Sequence, residues 1–80
     1  MTNLLKKREL LRAARYDYNF DREVYVNRHD KKVFSLEFVE DNDQGTLQEK
    51  IDENNSGGWR IYFNDAPSPS VQRELEALLG

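Results

Sequence analysis

The sequence predicts an α+β domain of two layers, in which a three-stranded antiparallel sheet carries an N-terminal and a C-terminal helix on one face, in the order α-β-β-(short α)-β-α. Three observations lead there. Residues 23–28, 33–39 and 59–64 alternate apolar and polar side chains with the period of two that strands require. Residues 4–15 and 69–80 space their apolar side chains by three, four and seven, as amphipathic helices do. Short runs of Asn, Asp, Gly, Ser and Pro punctuate these segments without any linker, so residues 1–80 read as one domain.

Thr2 or Asn3 is placed to cap the first helix, whose body is rich in Leu, Ala, Lys, Arg and Glu, residues that lose little on entering a helix. Leu4, Leu11, Ala14 and Tyr18 fall on one stripe, widened by Leu10 and Ala13 into a face able to cover a sheet. Aromatic and polar residues then alternate from Tyr16 to Phe20, in a short strand or an extended connector. In the next strand Val24 and Val26 share one face and Tyr25 and Asn27 the other. A polar turn from His29 to Lys32 leads into residues 33–39, where Phe34, Leu36 and Phe38 oppose Val33, Ser35, Glu37 and Val39, completing a hairpin.

An acidic turn over residues 40–45 ends that strand. Thr46, with Glu49 three positions on, has the capping-box pattern for a short helix over residues 47–53. Asn54, Asn55, Ser56, Gly57 and Gly58 form a loop before the last strand, in which Trp59, Ile61 and Phe63 alternate with Arg60, Tyr62 and Asn64. Ser68 followed by Pro69 makes a cap and first-position pair for the final helix, with Val71, Leu75 and Leu78 on its apolar stripe. The expected core is Leu4, Leu11, Ala14, Val24, Val26, Phe34, Leu36, Phe38, Trp59, Ile61, Phe63, Val71, Leu75 and Leu78.

Composition narrows the function. Of 80 residues, 34% are charged and 38% hydrophobic, so the drive to collapse rests heavily on four Tyr, four Phe and one Trp. A chain this short leaves little room for a deep pocket. Cysteine is absent, which excludes disulfides and thiolate metal sites and favours a cytoplasmic location. No stretch approaches the roughly 18 apolar residues of a membrane span. The first eleven residues lack the continuous apolar run of a signal peptide.

The net charge of −3 conceals an asymmetry. In residues 1–16, Lys6, Lys7, Arg8, Arg12 and Arg15 stand against Glu9 alone, giving +4, whereas seven basic and fourteen acidic residues beyond them give −7. A helix, three strands and a helix, spanning most of the chain, resemble the double-stranded RNA-binding domain in order of elements alone. That family sets a lysine cluster at the start of its last helix to meet phosphates. The corresponding residues here, Ser70, Val71, Gln72, Arg73, Glu74, Leu75 and Glu76, are neutral to acidic.

Other chemistries find no pattern. If Gly45 held the sixth place of a calcium loop, Ile51 would stand where a bidentate Glu is required. His29 is the sole histidine and lies in a turn, which leaves no histidine-based metal site or nucleophile–base pair to build. No enzyme activity and no cofactor are expected. Surface recognition remains, in a small regulatory or interaction module whose open sheet face and acidic loops bind a protein. Tyr25, Asn27, Glu37, Arg60 and Tyr62 are its candidate residues. Against this stands a fold in which Tyr16, Tyr18 and Phe20 cover that face. The alternative function is nucleic-acid binding by Lys6, Lys7, Arg8, Arg12 and Arg15 on the first helix. A homodimer through a sheet edge or the open face is compatible with either.

Overall fold

The computed structural model describes residues 4–80. The expected caps Thr2 and Asn3 lie outside them. The elements are α1 (Leu4–Ala13), β1 (Asp17–Asn19), β2 (Val24–Asn27), β3 (Lys32–Ser35), α2 (Leu36–Asp41), α3 (Gln44–Asp52), β4 (Arg60–Tyr62) and α4 (Pro69–Leu79).

Helix α1 ends where Arg15 takes up a left-handed conformation (φ 69°). The Tyr16 amide then reaches the Leu11 carbonyl at 2.9 Å and the Arg15 amide the Arg12 carbonyl at 3.0 Å. These two bonds define a Schellman motif, with an arginine where glycine is usual. The reversal sends the chain straight into β1, the connector that the aromatic alternation left open between strand and coil.

The sheet has the order β1-β2-β3-β4. Strands β1, β2 and β3 are antiparallel neighbours, with Tyr18 opposite Tyr25 and Tyr25 opposite Phe34, while β4 runs parallel to β3. The α+β class with terminal helices is as expected; the sheet is mixed and four-stranded, not antiparallel and three-stranded. The difference begins at residue 35. Residues 33–39 were expected as one strand, but Ser35 caps a helix there, its hydroxyl accepting from the Phe38 amide at 3.0 Å. Leu36 and Val39 then face inward by helical spacing. The chain crosses over through α2 and α3 before β4, and a crossover is what a parallel pair needs. Asp43 and not Thr46 caps α3, accepting from the Thr46 amide at 2.7 Å.

Alternation along the strands assigns the two apolar clusters to opposite faces. Leu11, Tyr16, Tyr25, Phe34, Val39 and Leu47 form one cluster, which packs α1, α2 and α3 on the sheet. Phe34 sits at its centre, its ring 5.2 Å from Tyr16 in a stack and 4.7 Å from Tyr62. Val24, Val26 and Val33 meet Leu75 and Leu79 of α4 in the other. The terminal helices therefore lie on opposite faces, not together on one, and the topological resemblance to the RNA-binding domain ends there. Leu78, expected in the core, is half exposed, and Leu79 takes its place.

Two lysines are buried. Lys7 is 4% and Lys32 2% exposed. The Lys7 ammonium donates to the Val39 and Glu40 carbonyls, at 2.9 and 3.0 Å, in the last turn of α2. The Lys32 ammonium donates to the Lys50 and Ile51 carbonyls, at 3.0 and 2.8 Å, and to that of Glu53 at the end of α3. Terminal carbonyls of a helix lack intrahelical donors and carry its negative dipole end, so a cation is the fitting partner there.

Two consequences can be measured. Lys32→Met keeps the apolar stem and removes the ammonium, leaving part-buried carbonyls without it. We expect a loss of about 2 kcal/mol, read from urea unfolding, and an unchanged midpoint would contradict the capping role. Arg15→Gly relieves the left-handed backbone and should raise the melting temperature by several degrees, for a gain of about 0.5–1 kcal/mol.

Candidate interaction surface

The five residues expected to share an open sheet face do not share a surface. Tyr25 is 5% exposed beneath the α1–α3 layer. Asn27 is equally buried and organises the β2–β3 turn. Its amide donates to the Ala14 carbonyl at 3.0 Å and its oxygen accepts from the Asp30 amide at 2.8 Å. Glu37 is exposed in the first turn of α2. Arg60 and Tyr62 lie at the β4 edge, where both donate to one Glu53 oxygen, at 2.8 and 2.5 Å. The premise of an open face fails because α2 and α3, one of them read as strand, cover it.

The β4 cluster is a clamp. Hydrogen bonds from Tyr62 and Arg60 hold the Glu53 carboxyl below the usual carboxylate range, while burial and the bond to Glu53 push the Tyr62 hydroxyl up. Asn55 fastens the neighbouring loop, its amide lying 3.1 Å from the carbonyls of both Asp30 and Lys31. The acidic turn is similarly engaged, since Asp41 accepts from Asn64 at 2.6 Å and Asp43 caps α3. His29 lies exposed beside Asp30, at 3.1 Å. Among the described residues no group of three or more His, Asp or Glu could hold a metal ion. No helix among them is long and apolar enough to cross a membrane.

Of the five basic residues of the first helix, Lys7 is withdrawn into the α2 cap. Lys6, Arg8, Arg12 and Arg15 are exposed. Arg8 and Arg12 flank a groove of about 440 Å³ between α1 and β1, whose other walls are Tyr16, Asp17, Tyr18, Phe20 and Tyr25. Within it the Tyr18 ring lies 4.8 Å from Tyr25, and the Phe20 ring meets Tyr18 edge-on at 4.9 Å. Tyr16 and Tyr18 thus cover part of the sheet face, but Phe20 remains 84% exposed. Asn19 explains its presentation, for its side chain accepts from the Arg22 amide at 3.0 Å and turns the chain directly after β1. Sequence reasoning missed the groove because Phe20 continues the Tyr16–Tyr18 alternation, which sets it among three rings that could all cover the sheet. The polar sequence after it, Asp21–Arg22–Glu23, was the available sign of a turn.

No protein-family model, curated protein or solved structure matches the chain.

The Tyr16 hydroxyl is buried with no hydrogen-bond partner among the described residues. Burial, then the nearby Asp30 and Tyr62, push its ionisation well above the usual value of 10.0. The folded state thus favours the neutral phenol, and the associated stability is present below the unfolded value and lost as pH rises above it. Tyr16→Phe should raise stability at neutral pH by about 1 kcal/mol and reduce the loss at alkaline pH. Urea midpoints at neutral and strongly alkaline pH test this; a lower neutral midpoint for the variant would contradict it.

Proposed function

We propose that this chain is a small non-catalytic interaction module that acts in the cytoplasm and binds a protein partner through the groove between α1 and β1. The observation that carries the reading is Phe20, an aromatic ring left 84% exposed beside two arginines. Aromatic and arginine side chains are the residue types that most often anchor protein interfaces. The groove replaces the covered sheet face in this role. The acidic turn does not share it, because Asp41 and Asp43 are occupied within the fold.

Nucleic-acid binding, the alternative, draws support from the same place, since guanidinium groups and aromatic rings also receive phosphates and stacked bases. It is the weaker reading. Burial of Lys7 leaves fewer cations for a continuous run of phosphates, and Asp17 stands in the groove wall.

A photo-crosslinking amino acid placed at Phe20, with the exposed Ala77 of α4 as control position, separates the readings in extracts of the native cell. The expected result is a protein adduct at position 20 that resists nuclease, is absent at position 77 and is lost when Arg12→Ala is added. Adducts that nuclease abolishes, or equal labelling at both positions, would overturn the proposal. Phe20→Ser should change stability by less than about 0.5 kcal/mol, so that any lost binding is not lost folding.

A further inference from the structure

We infer that the groove receives an extended acidic peptide segment, which adds as a strand to the free edge of β1 and presents carboxylates at alternate positions to Arg8 and Arg12. This rests on the groove being an interaction surface. Three features point to the same occupant.

The first is the edge. β1 pairs with β2 on one side, and no other strand among the described residues pairs on the other. An edge strand offers unpaired amides and carbonyls, and an incoming extended chain satisfies them by continuing the sheet. Nucleic acid has no matching main chain.

The second is spacing. Arg8 and Arg12 are four residues apart on α1 and line the same groove, which sets their Cα atoms about 6 Å apart along the helix axis. Alternate residues of a strand are separated by about 6.6 Å and point to the same face. A strand lying beside β1 therefore directs every second side chain toward the α1 layer at nearly the period of the two arginines. Each guanidinium can take a carboxylate through two parallel hydrogen bonds.

The third is charge. Arg8 and Arg12 are the two cations that line the groove. Asp17 in the groove wall opposes a continuous polyanion, whereas a strand alternates its acidic side chains with neutral ones. Phe20 and Tyr18 supply the apolar wall against which the aliphatic part of such a segment packs.

The test uses the full chain and a fluorescein-labelled peptide in which three aspartates alternate with valines, flanked by Gly-Ser. Its controls are the same peptide with lysine for aspartate, one of the same composition with the aspartates contiguous, one N-methylated along the backbone, and an oligodeoxythymidylate of equal charge. The alternating peptide should bind most tightly, weaken about tenfold with either Arg8→Ala or Arg12→Ala, and shift the amide resonances of Asp17, Tyr18, Asn19 and Phe20. N-methylation should abolish binding. Equal affinity for the contiguous peptide, tighter binding of the oligonucleotide, or no peptide binding would each overturn the inference. If no peptide binds but position 20 still yields a nuclease-resistant protein adduct, the inference falls and the interaction reading stands. If both fail, both readings fall.

Discussion

The architecture depends on two buried ammonium groups, each placed against the carbonyl end of a helix. A buried charge is costly unless hydrogen bonds replace its lost water, and helix-terminal carbonyls are costly when buried without donors. Lys32 and Lys7 resolve both problems at once, for α3 and α2 respectively. These helices form the helical part of the crossover between β3 and β4. Lys32 lies on β3 itself, paired in register with Arg60 of β4, so one residue joins the central sheet to the helix that precedes the parallel strand. Lys7 performs the corresponding task from α1. The three-helix layer is thereby locked by charge as well as by the apolar contacts around Phe34.

That layer decides where function can lie. Tyr25 and Asn27 sit on the face it covers, and α4 covers much of the other. Most polar side chains that a sequence reader would offer to a partner are engaged internally: Asn27 in its turn, Arg60 and Tyr62 on Glu53, Asp43 on α3. The groove beside the β1 edge stays open. There a three-residue strand, a tight turn and one face of α1 bring exposed arginines beside exposed aromatic surface. The uneven charge along the chain acquires a smaller meaning than its sum implies, because one of the five N-terminal cations is structural.

Much of the fold could be read from local patterns. The body of α1, the β2–β3 hairpin with its turn, the period-two core of β4 and the Ser68–Pro69 start of α4 all lie where periodicity and capping chemistry put them. The failure at residues 33–39 is instructive, because Phe34, Leu36 and Phe38 satisfy strand alternation while Leu36 and Val39 equally satisfy a helical step. Ser35 broke the tie through its cap. The lysines left a fainter trace. Lys7 stands on the apolar stripe between Leu4 and Leu11, and Lys32 on the same strand face as Phe34, both positions where a solvated lysine does not belong. Their partners come from segments 18 to 33 residues away, which no local pattern can announce. Phe20 was hidden because its alternation with Tyr16 and Tyr18 allowed all three rings to cover the sheet, which the following turn prevents for Phe20.

The most direct test of this account is NMR detection of the lysine side-chain ammonium groups in uniformly ¹⁵N,¹³C-labelled protein. Buried, hydrogen-bonded ammonium protons exchange slowly and share scalar coupling with the carbonyl carbons that accept from them. The account predicts protected ammonium signals for Lys7 and Lys32, coupled to the carbonyls of Val39 and Glu40 and of Lys50, Ile51 and Glu53 respectively. Ammonium protons at these two residues that exchange as fast as those of the exposed Lys31, with no such coupling, would contradict it.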